Sequence, residues 1–391
     1  MTIFDEVRGT GCQSFDPYDV WSSPYGVVIR RVYYSGHVFG KLAAIALALA
    51  DWLTPGFSRR IIRAAKRSYP IVAAQRILML DVENRLTREL SGELASYLTA
   101  LGTRCSQKQA WAWGLGFPWM SKNGLYGPDV PFVTHTPYVM EALLVLSGRS
   151  AAFNQADEMF HGTWRFLESL LVMYEDQSLL ALSYAPVEEP RSVVNANSYA
   201  AFAYALHAVH SRPEVQNKAR EKAKKLINWV IRQQQKDGSW FYYADEKPGN
   251  FIDCFHSCFV VKNLIKVSRL VPEFAGPIDA AVDNGWQFIE ENFHDSRAGL
   301  CRRFMVHAQR DPYRWDLYDQ AEYLGLLVDF GEMECAERFV RQVEDNFRSG
   351  ENWFCRIDIF GRRWGKNFIR WGIAPFLYHR ARWKKAAAEV K

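Results

Sequence analysis

The sequence predicts an all-α protein: an (α/α)6-type toroid of helical hairpins with minor β-hairpin insertions. Three observations predict it. Helical periodicity dominates from about residue 80 onward. Segments apolar all round, the mark of helices buried on both sides, alternate with segments apolar on one face only. The leading ends of the all-apolar segments recur at roughly sixty-residue intervals, near Thr134, Asn195, Asp253, Asp316 and Asn367. Such a period signals stacked hairpins, none able to bury its face alone.

The elements follow in order. Residues 1–80 precede the repeat and are expected to form a helical extension packed on the barrel, with the toroid domain at 81–391. Strand signals are sparse and local, in GVVIRRVYY near the start and SWFYY later on. Basic residues gather early, among them Arg30, Arg31, Lys41, Arg59, Arg60 and Arg63, and they flank the apolar run Leu42 to Ala50. That run is too short for a bilayer, which needs roughly twenty residues. A basic-flanked amphipathic helix suits an anionic membrane surface; the alternative is a solvated face over a buried stripe. The outer helices are expected at LTRELSGELASYLTAL, NQADEMFHGTWRFLESLLVMY, VQNKAREKAKKLINWVIRQQQ, PIDAAVDNGWQFIEENF and ECAERFVRQVEDNF. The inner ones are expected at TPYVMEALLVL, NSYAAFAYALHAV, CFHSCFVVKNLIKV, WDLYDQAEYLGLLVDF and IRWGIAPFLYHRA, with a sixth hairpin from the N-terminal region.

Composition narrows the function. With 49% hydrophobic and 23% charged residues the chain is globular. Aromatics reach 15%; a big core absorbs many of them, but Tyr and Trp carry a polar edge and in such numbers some are expected to line a cavity, the alternative for any one being ordinary packing. A net charge of +5 without a basic stripe argues against nucleic acid. MTIFDEVRGT lacks a basic n-region before an apolar run, and seven scattered cysteines lack CxxC pairs. Both features fit a reducing cytoplasm, with membrane association only through the basic N-terminal helices.

In a toroid the inner helices' leading ends converge on one face, and the polar residues there are the ones to read. Capping explains one Asn, Asp, Ser or Thr at each start. It does not explain the added His, Tyr, Arg and second carboxylate. Asp253 and His256, at i and i+3, form either an acid/base pair or an N-cap aspartate holding a satisfied histidine. Tyr184 and Tyr318 are further catalytic candidates. For substrate binding the candidates are His135, Asn195 and Asn197, the aromatics Trp113, Trp119, Trp240 and Tyr243, and Asp316 with Arg314 and Arg370, the two arginines having guanidinium groups that suit a carboxylate or phosphate. Cys254 and Cys258 share a different helix face from Asp253 and His256, so no metal site is expected, and no cofactor. There is no GxxxxGK[ST], no GxGxxG after a strand and no GxSxG elbow.

Gln234 to Trp240, QQKDGSW, resembles the Q-x-x-D-G-S-W repeat of the squalene–hopene cyclase and prenyltransferase superfamily, in which it ties one helix end to the next turn of an α/α barrel. The D-x-D-D protonation motif of those cyclases is absent. The ordered set WGLGFPWMSKNGLY, VPFVTHTPYVMEALL, SYAPVEEPRSVVNANSYAAFAYAL, QKDGSWFYYADEKPGNFIDCFHSCFVVKNL and FIRWGIAPFL resembles a family of bacterial proteins found with exopolysaccharide and lipopolysaccharide biosynthesis genes. Arg314-Trp315-Asp316 with Tyr318 is similar to the C-terminal α/α domain of heparosan glucuronyl C5-epimerases. These resemblances imply a toroid acting on a glycan or lipid-linked sugar by acid/base chemistry, as an epimerase, lyase or hydrolase. The alternatives are an isoprenoid-binding or prenyltransferase- and cyclase-like protein, and a non-catalytic scaffold in a glycan-assembly complex.

Overall fold

The computed structural model describes residues 13–105, 110–148, 153–304 and 312–389, leaving MTIFDEVRGT and Cys12 outside. Four helices come first: α1 (Asp19–Ser22), α2 (Pro24–Tyr34), α3 (Val38–Leu53) and α4 (Pro55–Ile61). Five hairpins follow. They are α5 (Pro70–Val82) with α6 (Arg88–Leu101), α7 (Thr136–Ser147) with α8 (Phe153–Leu167), α9 (Val194–His210) with α10 (Pro213–Arg232), α11 (Cys254–Leu270) with α12 (Ala275–Asn292), and α13 (Leu317–Asp329) with α14 (Met333–Phe347). A last helix, α15 (Ala374–Glu389), completes the chain's helical part. Helices α5, α7, α9, α11, α13 and α15 pack side by side in that order, and α15 packs back on α5. This closed inner ring, with α6, α8, α10, α12 and α14 around it, is the all-α toroid the sequence predicts.

Side-chain pattern decides which layer each helix joins. In α9, NSYAAFAYALHAV is apolar or small all round, and fifteen of its seventeen residues are buried. In α10 only six of twenty are buried, and Ala219, Ala223, Leu226, Ile227 and Val230 form a single stripe. The ring begins earlier than the boundary at residue 80, because α5 buries ten of its thirteen residues between α7 and α15. Its PIVAAQRILML is as uniformly apolar as the other inner helices.

Both strand signals are corrected. GVVIRRVYY is helical: Pro24 pre-sets the first turn of α2, and the Ser23 hydroxyl accepts from the Gly26 amide. These helix-start signals outweigh the β-branched residues. SWFYY forms no strand; it makes one bridge, Val193 with Tyr243. The strands are short antiparallel pairs in the loops, apart from a four-stranded sheet built on Asn352–Asp358.

The Gln234–Trp240 stretch joins two helices, α10 and α12. The Gln234 side chain donates to the carbonyls of Gly238 (3.0 Å) and Ala281 (2.9 Å), and Trp240 Nε1 donates to the Val230 carbonyl (3.0 Å). Gly238 takes φ +89° against the backbone of α12, and Gly285 lets that helix approach the Trp240 ring.

The N-terminal arm docks across the ring end. Trp364 Nε1 donates to the Asp51 carbonyl, Arg59 pairs with Asp51, and the Ile369 amide donates to Ser14 Oγ.

Two outcomes are expected. A Cβ on Gly285 would lie 2.6 Å from the Trp240 ring. Gly285→Ala therefore destabilises by about 1–3 kcal/mol in denaturant titration, through overpacking. His207 lies in the core between Thr163 (2.9 Å) and Ser211 (2.6 Å), and burial, aided by His161 and His210, lowers its pKa from 6.5 to about 3. Below its unfolded pKa the unfolded chain takes up a proton that the folded chain refuses, so this contribution is complete above 6.5 and is lost as pH falls toward 3. Acidification from about pH 7.5 to about pH 5 should lower the melting temperature of His207→Gln less than that of wild type.

Candidate functional site

The leading ends of α7, α9, α11 and α13, with the turn Ile369–Ile373 before α15, open on one cavity of about 410 Å³. Its wall combines aromatic faces, tyrosine hydroxyls and charge. α2 adds Arg30 and Tyr34, and the hairpin beside the arm adds Trp119.

Asp253 occupies the N-cap position of α11, yet its carboxylate makes no capping bond. Both its oxygens approach Nδ1 of His256, at 2.7 and 2.9 Å. A capping role is free to pass elsewhere because Asp319, from α13, accepts the Phe255 amide at 3.1 Å. That amide is one of the unpaired donors of the first turn. A carboxylate only accepts, so Nδ1 carries the hydrogen and the neutral ring offers its lone pair on Nε2. No described residue bonds that nitrogen, and the half-open imidazole packs on Phe255 (4.0 Å) and Tyr242 (4.6 Å). The loop before α11 is fixed too: Asn250 bonds the Tyr243 backbone in both directions, and Arg191 forks onto Asp245.

Tyrosines surround the dyad. Tyr184 accepts from Thr134 Oγ1 at 2.8 Å, and its loop is pinned by Glu189, which accepts the Tyr184 amide and the Tyr126 hydroxyl. Burial pushes the Tyr184 phenol up to about 12 and also raises Tyr318 and Tyr242 well above the usual phenol range, so all three stay protonated donors. His135 is held neutral, its pKa lowered to about 3 by burial and by Arg370, and its Nε2 has no partner. Asn195 Oδ1 is likewise buried and unpartnered. Fixed positive charge comes from Arg303 and Arg370. Arg370 forks onto the buried Asp16 through Nε (2.5 Å) and Nη2 (2.8 Å). Burial opposes its charge, but Asp16, with Tyr69 and Tyr18 beside it, raises its pKa on balance. Arg370 and Trp371 reach the cavity because the backbone breaks at Gly372, φ +91°, where a Cβ would strike the Leu317 and Tyr318 backbone.

Of the residues singled out in the sequence, the cavity wall gathers Asp253, His256, Tyr184, Tyr318, His135, Asn195, Trp119, Tyr243 and Arg370. Five others lie outside it. Trp113 is fully buried and donates to the Leu98 carbonyl, and Trp240 is spent on the hairpin tie. Asn197 clamps Leu182 and Val193 backbone to α9. Arg314 falls at a register shift between Tyr313–Asp316 and Asn352–Asp358, so it is unmatched on the partner strand and turns to solvent over Trp315. Asp316 stands behind the wall: it caps α13 at Tyr318 and holds Arg303 (2.5 Å), Arg356 (2.8 Å) and the Trp371 indole (2.9 Å). Arg303, Tyr18, Tyr242 and Trp371 were not anticipated. Tyr18 comes from the arm and Arg303 from a loop, where no periodicity marks them. The paired thiols of Cys254 and Cys258, 4.0 Å apart, face the core. Among the described residues no group of three or more His, Cys, Asp or Glu is placed to hold a metal.

No family model matches the chain, and no curated protein sequence does. The fold is similar to that of cellobiose 2-epimerase from Bacillus thermoamylovorans, with TM-score 0.59 and 10% identity over 83% of this chain and 90% of that one. It is similar to a GH76 α-mannanase from Bacteroides thetaiotaomicron, with TM-score 0.57 and 10% identity over 82% and 88%. It is also similar to a polysaccharide lyase, with TM-score 0.57 and 11% identity over 89% and 98%.

Removing one partner of a buried ion pair leaves the other charge stranded. Arg370→Met should therefore cost about 3–5 kcal/mol in denaturant titration, and Asp16→Asn in the same chain should restore part of it.

Proposed function

We propose that this protein is a carbohydrate-modifying enzyme of bacterial polysaccharide biosynthesis, working by proton transfer on a glycan or lipid-linked sugar. The observation that carries the reading is the Asp253–His256 dyad, with its unbonded Nε2 set among protonated tyrosines and two arginines. The same toroid serves an epimerase, a mannanase and a polysaccharide lyase, which supports a carbohydrate substrate. A deep dry pocket would suit an isoprenoid. Arg303, Arg370, Asp253, His256 and Asn195 in this wall favour a hydroxyl-rich ligand instead, stacked on Trp119 or Tyr243.

In this reading His256 Nε2 is the base and Asp253 fixes its tautomer and stabilises the imidazolium that forms. Arg370 and Arg303 stabilise the charge that a uronate carboxylate gains as the neighbouring carbon loses its proton. Tyr318 or Tyr184 is the acid. Returning a proton to the opposite face of that carbon inverts it; giving it to the departing glycosidic oxygen, as the C–O bond breaks, cleaves the chain. Both outcomes start from the same abstraction, so one dyad serves either.

The test is solvent exchange. Wild type incubated with glucuronate- and mannuronate-containing oligosaccharides in D2O should either place deuterium on the ring carbon beside the carboxylate, if it epimerises, or leave an unsaturated uronate at that carbon, if it cleaves, both read by NMR. His256→Ala and Asp253→Asn should each slow this by about a hundred- to ten-thousand-fold. The melting temperature of Asp253→Asn should barely move, since Asp319 rather than Asp253 caps α11, whereas His256→Ala strands the buried Asp253 carboxylate and should lower it. Unchanged exchange in both variants would remove the dyad from the reaction and favour a scaffold role.

A further inference from the structure

We propose that the arm formed by α2, α3 and α4 is a docking surface for an anionic lipid bilayer, lying in its headgroup region. Of the twenty large hydrophobic residues exposed among those described, twelve belong to this arm, including Phe39, Leu42, Ile45, Leu49, Phe57 and Ile61. They are exposed because α3 packs its other side on α2: at Gly40 an added Cβ would lie 2.5 Å from the Tyr33 amide nitrogen. The far end of α3 is tied to the toroid through Asp51 and Trp52, whose Nε1 donates to Asp358.

Charge selects the occupant. Between Gln13 and Tyr69 the only acids are Asp16, Asp19 and Asp51, and all three are buried, at 0%, 2% and 6% exposure. The exposed side chains Arg31, Lys41, Arg60, Arg63 and Lys66 are all cationic. A second copy meeting this face symmetrically would set cation against cation. An anionic bilayer takes the apolar face and the basic rim together. Geometry sets the mode. No helix among the described residues is long and apolar enough to cross a membrane. α3, at sixteen residues, is about 24 Å long against a hydrocarbon core of about 30 Å. It therefore lies along the surface. α2 also lends Arg30 and Tyr34 to the cavity wall, so a docked arm holds that wall beside the headgroups. This docking does not depend on the carbohydrate reading.

Flotation of the purified full chain with vesicles tests it. Wild type should float with phosphatidylcholine–phosphatidylglycerol vesicles, less with phosphatidylcholine alone, and less at high salt. Leu42→Asp with Ile45→Asp should lower the bound fraction at least about tenfold. Both positions are exposed, so circular dichroism and melting temperature should match wild type. Lys41→Glu with Arg60→Glu should abolish the preference for anionic vesicles while leaving the fold intact. Wild type that stays unbound overturns the proposal. So does a concentration-dependent dimer in sedimentation that the aspartate variant dissociates, since a second copy would then cover the face.

Discussion

The buried pair between Asp16 and Arg370 joins parts of the molecule that nothing in the local chain brings together. Asp16 is wholly buried and Arg370 nearly so, and two parallel bonds satisfy both. Desolvating two charges is expensive, and such a pair persists only when its geometry is complete. Here completion needs the arm seated and the Gly372 turn formed at the same time. The same guanidinium forms part of the cavity wall, so the arm, the ring end and the candidate site share one electrostatic condition. Arg59 extends it, reaching the Asp16 carbonyl at 3.2 Å while pairing with Asp51.

Behind the wall the polar groups are arranged in tiers. Asp316 holds two arginines and an indole, Asp319 takes over a helix cap, and Lys262 bonds both Tyr138 (2.8 Å) and Glu322 (2.6 Å) deep in the ring. Each of these carboxylates accepts at least one donor, and Asp253 in the wall is spent on a histidine. Burial then keeps the phenols protonated and His135 neutral, while Asp16 keeps Arg370 charged against it. A site sorted in this way offers hydrogen-bond donors and fixed cations around the unbonded Nε2 of His256.

The layers were legible because burial on both sides and burial on one side leave different patterns. NSYAAFAYALHAV and VQNKAREKAKKLINWVIRQQQ differ at sight, and so do the helices they became. Asp253 and His256 were legible as neighbours from their spacing; which of two bonds the aspartate makes was not, since the answer lies with Asp319, sixty-four residues from Phe255. Trp113 and Trp240 were read as cavity aromatics because a tryptophan's position in sequence does not say which side of a helix end it faces. Arg314 was misplaced by a single register shift, which moves a side chain without leaving any mark in composition. Arg303 and Tyr18 come from segments without period, and only tertiary structure sets them in the wall. GVVIRRVYY shows the reverse: a β-branched run overruled by Ser23 and Pro24 just ahead of it.

Ring closure has a consequence for the order in which the protein matures on the ribosome. Asp16 precedes Arg370 by 354 residues. At about 5–20 residues per second, the arm waits some 20–70 s for its partner. Hairpins from α5 to α14 can stack as they emerge, each on the one before, but α15 must join α5 across the whole length of the chain. Throughout that interval the apolar arm is outside the tunnel with Asp16, Arg59 and Asp51 lacking their final packing. The arm is therefore exposed before any cavity exists, and α15, which follows all five hairpins in the chain, closes the ring and fixes the arm in place.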